Sequence, residues 1–182
     1  MVASTDSQSF ENLYEGHYEA VLRYCLRRAG HEEALDATAE TFTIAWRRRS
    51  DLPWDRPLPW LYGVARKVLA NQRRTQTRFR RTATRIAGTS VAVEPAPETL
   101  LVHRAEAVEV EEALSRLRPS DGEVIRLAAW EQLTREGLGV ALGCSTNAAT
   151  KRLGRALDRL AKELGATRSV GLRFINRERK RA

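Results

Sequence analysis

The chain reads as an all-α protein: two small helical domains joined by a flexible linker, the second ending in a helix-turn-helix. Three observations predict this. Apolar residues recur at three- and four-residue steps, while alternating strand patterns are nearly absent. Residues 78–104 lack sustained periodicity and contain Gly88, Ser90, Pro95 and Pro97, which marks a linker. Near the C-terminal end, Gly143-Cys144-Ser145 separates two helical patterns with the length and turn chemistry of a helix-turn-helix. The expected organisation is therefore a first domain over residues 1–77, the linker, a second domain over 105–165 and a basic tail over 166–182.

Phe10, Leu13, Tyr14, His17, Tyr18, Val21 and Cys25 form the stripe of a first helix, which Gly30 is expected to end. Leu35, Ala39, Phe42 and Trp46 mark a second. Pro53, Pro57 and Pro59 keep the third from starting before about Leu58. Its stripe is Leu61, Val64, Ala65, Val68 and Leu69, with Arg66, Lys67, Arg73 and Arg74 opposite and Asn71 on the flank. The second domain opens with Ala107, Val110, Leu114 and Leu117. Pro119-Ser120-Asp121 then predicts a stop and a new start capped by Ser120 or Asp121, and Val124, Leu127 and Ala128 face inward. Thr134 is the expected cap of a short helix carrying Leu138, Ala141 and Leu142, although Glu136 falls one position short of a full capping box. Gly143 ends it. Ser145 or Thr146 caps a last helix with the stripe Ala149, Leu153, Ala156, Leu160 and Leu164.

Composition narrows the function. In 182 residues, 42% are apolar, enough for a core, and the net charge is +8 with a pI near 10.2. Such a balance suits a polyanionic partner, nucleic acid first and an acidic membrane surface second. No apolar run approaches a membrane span, and Met1 to Phe10 lacks the pattern of a signal peptide. Cys25 and Cys144 are too few for a disulfide framework or a Cys-rich zinc site, so a cytoplasmic protein with reduced thiols is expected. From Arg66 to Val93 eight basic residues occur with no acid, and from Glu94 to Asp121 seven acids face three arginines. After Asn147 the chain turns basic again. Two basic zones imply two contact surfaces.

Catalytic signatures are missing: there is no Walker loop, no His-Glu-x-x-His and no Gly-x-Ser-x-Gly. His17, His31 and His103 have no metal-ligand spacing, so no metal or other cofactor is expected, and His17 and Cys25 read as core or boundary residues. A redox role for Cys144, in the turn, stays open. On the last helix, Lys151 and Arg155 lie opposite the stripe, Asn147 and Ala148 occupy the exposed start, and Thr150 and Arg152 flank that face. A recognition helix needs this layout of short polar groups for base edges and cations for guanine or phosphate. Trp54 and Trp60 precede the basic run of the third helix; Trp60 suits core packing, and Trp54 suits an exposed stacking platform for unpaired bases.

Three segments carry a resemblance. Asp36-Ala37-Thr38-Ala39-Glu40-Thr41-Phe42-Thr43-Ile44-Ala45-Trp46 is similar to Asp-x-x-Gln-Glu-Thr-Phe-x-x-Ala-Trp. Trp60-Leu61-Tyr62-Gly63-Val64-Ala65-Arg66-Lys67 is similar to Trp-Leu-x-x-Ile-Ala-Arg-Asn. Leu142-Gly143-Cys144-Ser145 through Lys151-Arg152-Leu153-Gly154-Arg155-Ala156 is similar to Leu-Gly-x-Ser followed by Arg-Leu-x-Arg-Ala. In this order and spacing, from about Phe10 to Leu164, the chain resembles bacterial sigma factors of the extracytoplasmic-function group.

The resemblance implies that Asp36, Glu40 and Thr43 bind the beta-prime coiled coil of core RNA polymerase. It implies that Trp54, Arg66, Lys67, Asn71, Arg73 and Arg74 recognise and melt the −10 element, the Trp54 to Pro59 loop receiving a flipped non-template base. Asn147, Ala148, Thr150, Lys151, Arg152 and Arg155 would read the −35 element, with the second domain seated on the beta flap, and an anti-sigma partner is expected. Ala39 and Lys67 depart from the usual Gln and Asn, and Gly137 and Gly139 in the scaffold helix and Gly154 in the recognition helix each weaken their helix, by about 1 kcal/mol relative to Ala if exposed. The competing reading is a stand-alone helix-turn-helix regulator; an RNA- or membrane-surface protein comes third.

Overall fold

The structure is a computed structural model that describes the backbone of residues 2–83 and 110–165 and the side chains of residues 8–78 and 110–165. The chain divides into two compact units, Met1–Ala96 and Pro97–Ala182. All regular structure among the described residues is helical. Most of the expected linker, the start of the second domain including Ala107, and the basic tail lie outside the described residues.

The first unit packs α1 (Val2–Leu26), α2 (His31–Arg47) and α3 (Pro57–Ala83) around one core, each helix touching the other two. Leu13, Val21, Tyr24 and Cys25 of α1 and Ala34, Ala37, Phe42 and Ala45 of α2 are buried, as is the whole expected stripe of α3, Leu61 to Leu69. Tyr24 and Tyr62 stack at 5.0 Å with almost no exposure. Gly30 does not end α1, which stops at Leu26; it is the N-cap of α2, and its N–H donates to Glu33 Oε2 at 3.3 Å. α3 runs to Ala83, so residues 78–83 of the expected linker are helical.

The inward face of α2 also differs from expectation. Its buried residues are Ala34, Ala37, Thr38, Thr41, Phe42 and Ala45, while Leu35 is 38% exposed and Ala39 lies on the surface. The reason is steric: α2 sits against both α1 and α3, and small residues allow two helices to approach it. Thr38 and Thr41 are tolerated there because their hydroxyls donate to Ala34 O at 2.7 Å and Ala37 O at 2.6 Å. Trp46 stays 38% exposed, edge-on to Phe10 at 5.0 Å.

In the second unit, a helix described over residues 110–116 (α4) is followed by α5 (Pro119–Ala129), α6 (Arg135–Leu142) and α7 (Thr146–Glu163). Neither Ser120 nor Asp121 caps α5. Arg118 is the N-cap and Pro119 takes the first helical position, where a missing N–H costs nothing. Asp121 instead bonds Arg159 of α7 at 2.5 Å. Ala113, Leu114, Val124, Ile125, Leu127, Leu138, Ala149, Leu153, Ala156, Leu157 and Leu160 build the core. Leu157 is an addition to the expected α7 stripe, and Leu164 is only half-buried.

Candidate nucleic-acid interface

On α2, Asp36, Glu40 and Thr43 recur at steps of four and three residues, and all three are exposed. The Thr43 hydroxyl donates to Ala39 O of its own helix at 2.9 Å. With half-exposed Leu35 and Trp46 they form a mixed acidic and apolar face.

The connection from α2 to α3 holds a short 3-10 turn (Arg49–Asp51) and Trp54, which is 45% exposed. Ser9, Arg47, Arg49, Ser50 and Trp54 line an open cleft of about 510 Å³. Arg49 lies 4.7 Å from the Trp46 ring, and Arg48 is held by two bonds to Asp51, at 3.1 and 2.9 Å. Trp60 is half-buried, with the Arg48 guanidinium 5.8 Å from its ring. Two guanidiniums beside an indole can hold a phosphate next to a stacked base. Arg47 and Arg49 were not among the expected site residues; the signal was the run Arg47-Arg48-Arg49, which lies outside the longer acid-free run that begins at Arg66.

Along α3 the basic residues are not equivalent. Lys67, Asn71 and Arg74 are exposed, and Arg74 donates to Ala70 O of its own helix at 3.2 Å. Arg66 is half-buried, with its Nε shielded and unmatched by an acceptor among the described residues. Arg73, although exposed, donates through Nη2 to Arg28 O at the α1–α2 corner.

The two helices α6 and α7 are joined by Gly143, Cys144 and Ser145. Thr134 caps α6 by accepting from Gly137 N at 3.2 Å, and Ser145 caps α7 by accepting from Ala148 N at 3.2 Å. Gly143 adopts φ +66, a left-handed conformation that glycine takes without a Cβ clash. Gly137 and Gly139 are buried, so the cost expected of exposed glycines does not apply to them. A Cβ on Gly139 would stand 2.9 Å from Cys144 O and 3.2 Å from Thr146 N, so the turn closes directly over it. Asn147, Lys151, Arg152 and Arg155 are exposed, Ala148 and Thr150 half-buried, and Arg155 Nε donates to Lys151 O at 3.3 Å. The basic face of α7 thus lies opposite the stripe that packs on α5 and α6.

Burial pushes the His17 pKa below its ordinary 6.5. Cys25 is buried and Cys144 half-buried. Among the described residues no group of three or more His, Cys, Asp or Glu is placed to hold a metal, and no helix is long and apolar enough to cross a membrane.

Residues 13–79, which span α1 to α3, match Sigma-70 region 2. The chain is 26% identical to RNA polymerase sigma factor YlaC of Bacillus subtilis (strain 168) over 163 residues, covering 88% of this chain and 94% of that protein. It is 27% identical over 168 residues to RNA polymerase sigma factor NccH of Alcaligenes xylosoxydans xylosoxydans, covering 87% and 88%. The fold is similar to sigma factor RpoE of Bartonella quintana, solved in complex with the anti-sigma factor NepR, with a TM-score of 0.63 at 22% identity over 87% of this chain and 98% of that one. It is also similar to CnrH, solved with the cytosolic domain of CnrY, with a TM-score of 0.57 at 23% identity over 90% and 96%. Sigma-70 region 2 thus matches from within α1 to within α3, and along most of its length the chain is similar to RNA polymerase sigma factors.

Proposed function

We propose that this protein is an alternative sigma factor of the extracytoplasmic-function group, which directs transcription initiation, divides promoter opening between its two units and performs no catalysis of its own. In the first unit, Asp36, Glu40 and Thr43 dock on the beta-prime coiled coil of core polymerase, and the apolar Leu35 and Trp46 beside them add area that only a protein partner desolvates. Lys67, Asn71 and Arg74 track the strand at the −10 element, joined by Arg66. Unpairing a base costs a few kcal/mol, and stacking on an aromatic ring returns about 1–3 kcal/mol. The cleft beside Trp54, with Arg47 and Arg49, supports this account because it offers the stack and the phosphate charge in one place.

In the second unit, α7 lies in the major groove at the −35 element. Asn147 and Ala148 lie at its N-terminal end, Thr150 and Lys151 one turn further on, and Arg152 and Arg155 reach guanine or phosphate. This unit also sits on the beta flap. An anti-sigma protein that holds the factor away from polymerase is the proposed regulatory partner, and the site of action is the cytoplasm. A stand-alone regulator is not favoured, because α1 to α3 match a sigma region.

The observation that carries the proposal is the pairing of an exposed indole with two arginines in one cleft just ahead of a basic helix. Holoenzyme binding to fork-junction promoter DNA, with the non-template strand unpaired, is the test. Trp54→Ala is expected to weaken binding to the fork about tenfold while leaving fully duplex −35 DNA unaffected. Equal binding of the fork by the variant and the parent would contradict it.

A further inference from the structure

α3 outruns the core it belongs to. Leu69 is its last buried apolar side chain among the described residues, yet the helix continues to Ala83. That extension carries Arg73, Arg74, Arg78, Arg80 and Arg81 and no acid. An isolated helix shorter than about 12–15 residues is marginal in water, and like charges three or four residues apart weaken it further. Among the described residues, this half of the helix is tied to its unit by a polar link rather than by apolar packing.

Two side chains supply it. Arg73 Nη2 donates to Arg28 O, and one turn later Gln76 Nε2 donates to Glu33 Oε1. Both acceptors belong to the corner between α1 and α2, and that corner is stiff. The second oxygen of Glu33 accepts the Gly30 N–H that starts α2. Arg28 Nη1 donates to Tyr24 O at 3.1 Å, and its guanidinium lies 3.7 Å from the centre of the Tyr24 ring. Tyr24 in turn is fully buried against Tyr62 of α3. The same corner thus fixes α3 twice, once by ring stacking in its first half and once by polar bonds in its second.

We infer that Arg73 and Gln76 are positioning residues, a polar latch that ties the distal half of α3 to the α1–α2 corner so that Lys67, Asn71 and Arg74 meet the DNA on a rigid helix. This rests on the reading of α3 as the strand-opening helix. It separates Arg73 from its neighbour Arg74, whose guanidinium bonds within its own helix and otherwise faces outward. Gln76, half-buried and uncharged, adds no charge that would enter the salt dependence of phosphate binding.

Hydrogen exchange on the full-length protein tests the latch without DNA. Arg73→Ala and Gln76→Leu leave intrinsic helix propensity equal or better, so without a latch the amides of residues 74–83 would exchange at the parental rate or slower. The latch predicts acceleration of about threefold or more in each variant, the worth of one lost hydrogen bond, and none in Arg74→Ala. With core polymerase and a promoter carrying 2-aminopurine at the −10 element, Gln76→Leu is expected to slow strand opening severalfold at unchanged salt dependence. Arg74→Ala is expected to reduce the salt slope by about 0.7, one phosphate of a single strand. Unaltered exchange in both Arg73→Ala and Gln76→Leu would overturn the latch, and faster exchange with parental strand opening in Gln76→Leu would overturn its positioning role. An Arg74→Ala variant with the parental slope and opening rate would instead count against α3 as the strand-opening helix, and the exchange data would still decide the latch.

Discussion

The two basic helices of this protein are built in opposite ways. α7 is apolar on one side along its length, with Ala149, Leu153, Ala156, Leu157 and Leu160 buried, and its start is fixed by the Ser145 cap and the left-handed Gly143. Among the described residues of α3 the buried apolar side runs only as far as Leu69, and beyond that the described contacts to the corner are polar. A helix that reads duplex edges needs a single fixed pose, because each bidentate base contact is worth only about 1–3 kcal/mol and a small tilt forfeits it. A helix that accompanies an opening strand needs exposed charge further along its axis than a small core can extend. The contrast teaches that the same sequence signal, a basic amphipathic helix, can be anchored by apolar packing in one place and by a few hydrogen bonds in another.

The comparison breaks most visibly at Leu153. It is 3% exposed in the middle of the α7 stripe, and Leu153→Ala is expected to destabilise the second unit by about 2–5 kcal/mol and to abolish −35 binding, read by thermal unfolding and duplex titration. Thr77→Ala, on the exposed distal half of α3, is expected to shift stability by no more than about 0.5 kcal/mol. Gly139→Ala comes next. The backbone atoms Cys144 O and Thr146 N that its Cβ would meet cannot swing aside, so a loss of about 1–3 kcal/mol is expected in the same unfolding assay. Gly154→Ala runs the other way: its Cβ enters open space, and the variant is expected to stabilise α7 by up to about 1 kcal/mol. A loss of −35 affinity in that more stable variant would mark Gly154 as a point of close approach to DNA.

The smallest effect concerns pH. His17 binds its proton less readily folded than unfolded, because burial disfavours the imidazolium. Between the lowered folded value and the ordinary 6.5 the unfolded chain holds more protons, so stability rises with pH across that window and falls on acidification through it. Denaturant midpoints at about pH 7.5 and about pH 5.5 are expected to differ less in His17→Leu than in the parent.

Much of this architecture was legible in the residues. The caps Thr134 and Ser145, the stop at Gly143 and the apolar half of α3 follow from local chemistry, and all stand where that chemistry places them. The inward face of α2 was not legible, because ranking residues by hydrophobicity favours Leu35 and Trp46, whereas a helix squeezed between two others selects Ala34, Ala37, Thr38 and Thr41. The α5 start was misread for a related reason: Asp121 looks like a cap until its partner Arg159, far along the chain, is known. At the interface, periodicity put Lys67, Arg74, Lys151, Arg152 and Arg155 on the surface, as found. It could not show that Arg73 turns toward Arg28 O, since that acceptor is a backbone atom of another helix and carries no residue signature.

The most direct test of the central claim is run-off transcription from genomic promoter fragments with purified bacterial core polymerase, with and without this protein. Defined start sites that require the protein, and that weaken with Asp36→Ala in the first unit and with Lys151→Ala in the second, are the predicted result. Transcripts that do not depend on the protein, or start sites indifferent to both substitutions, would contradict the division of promoter opening between the two units.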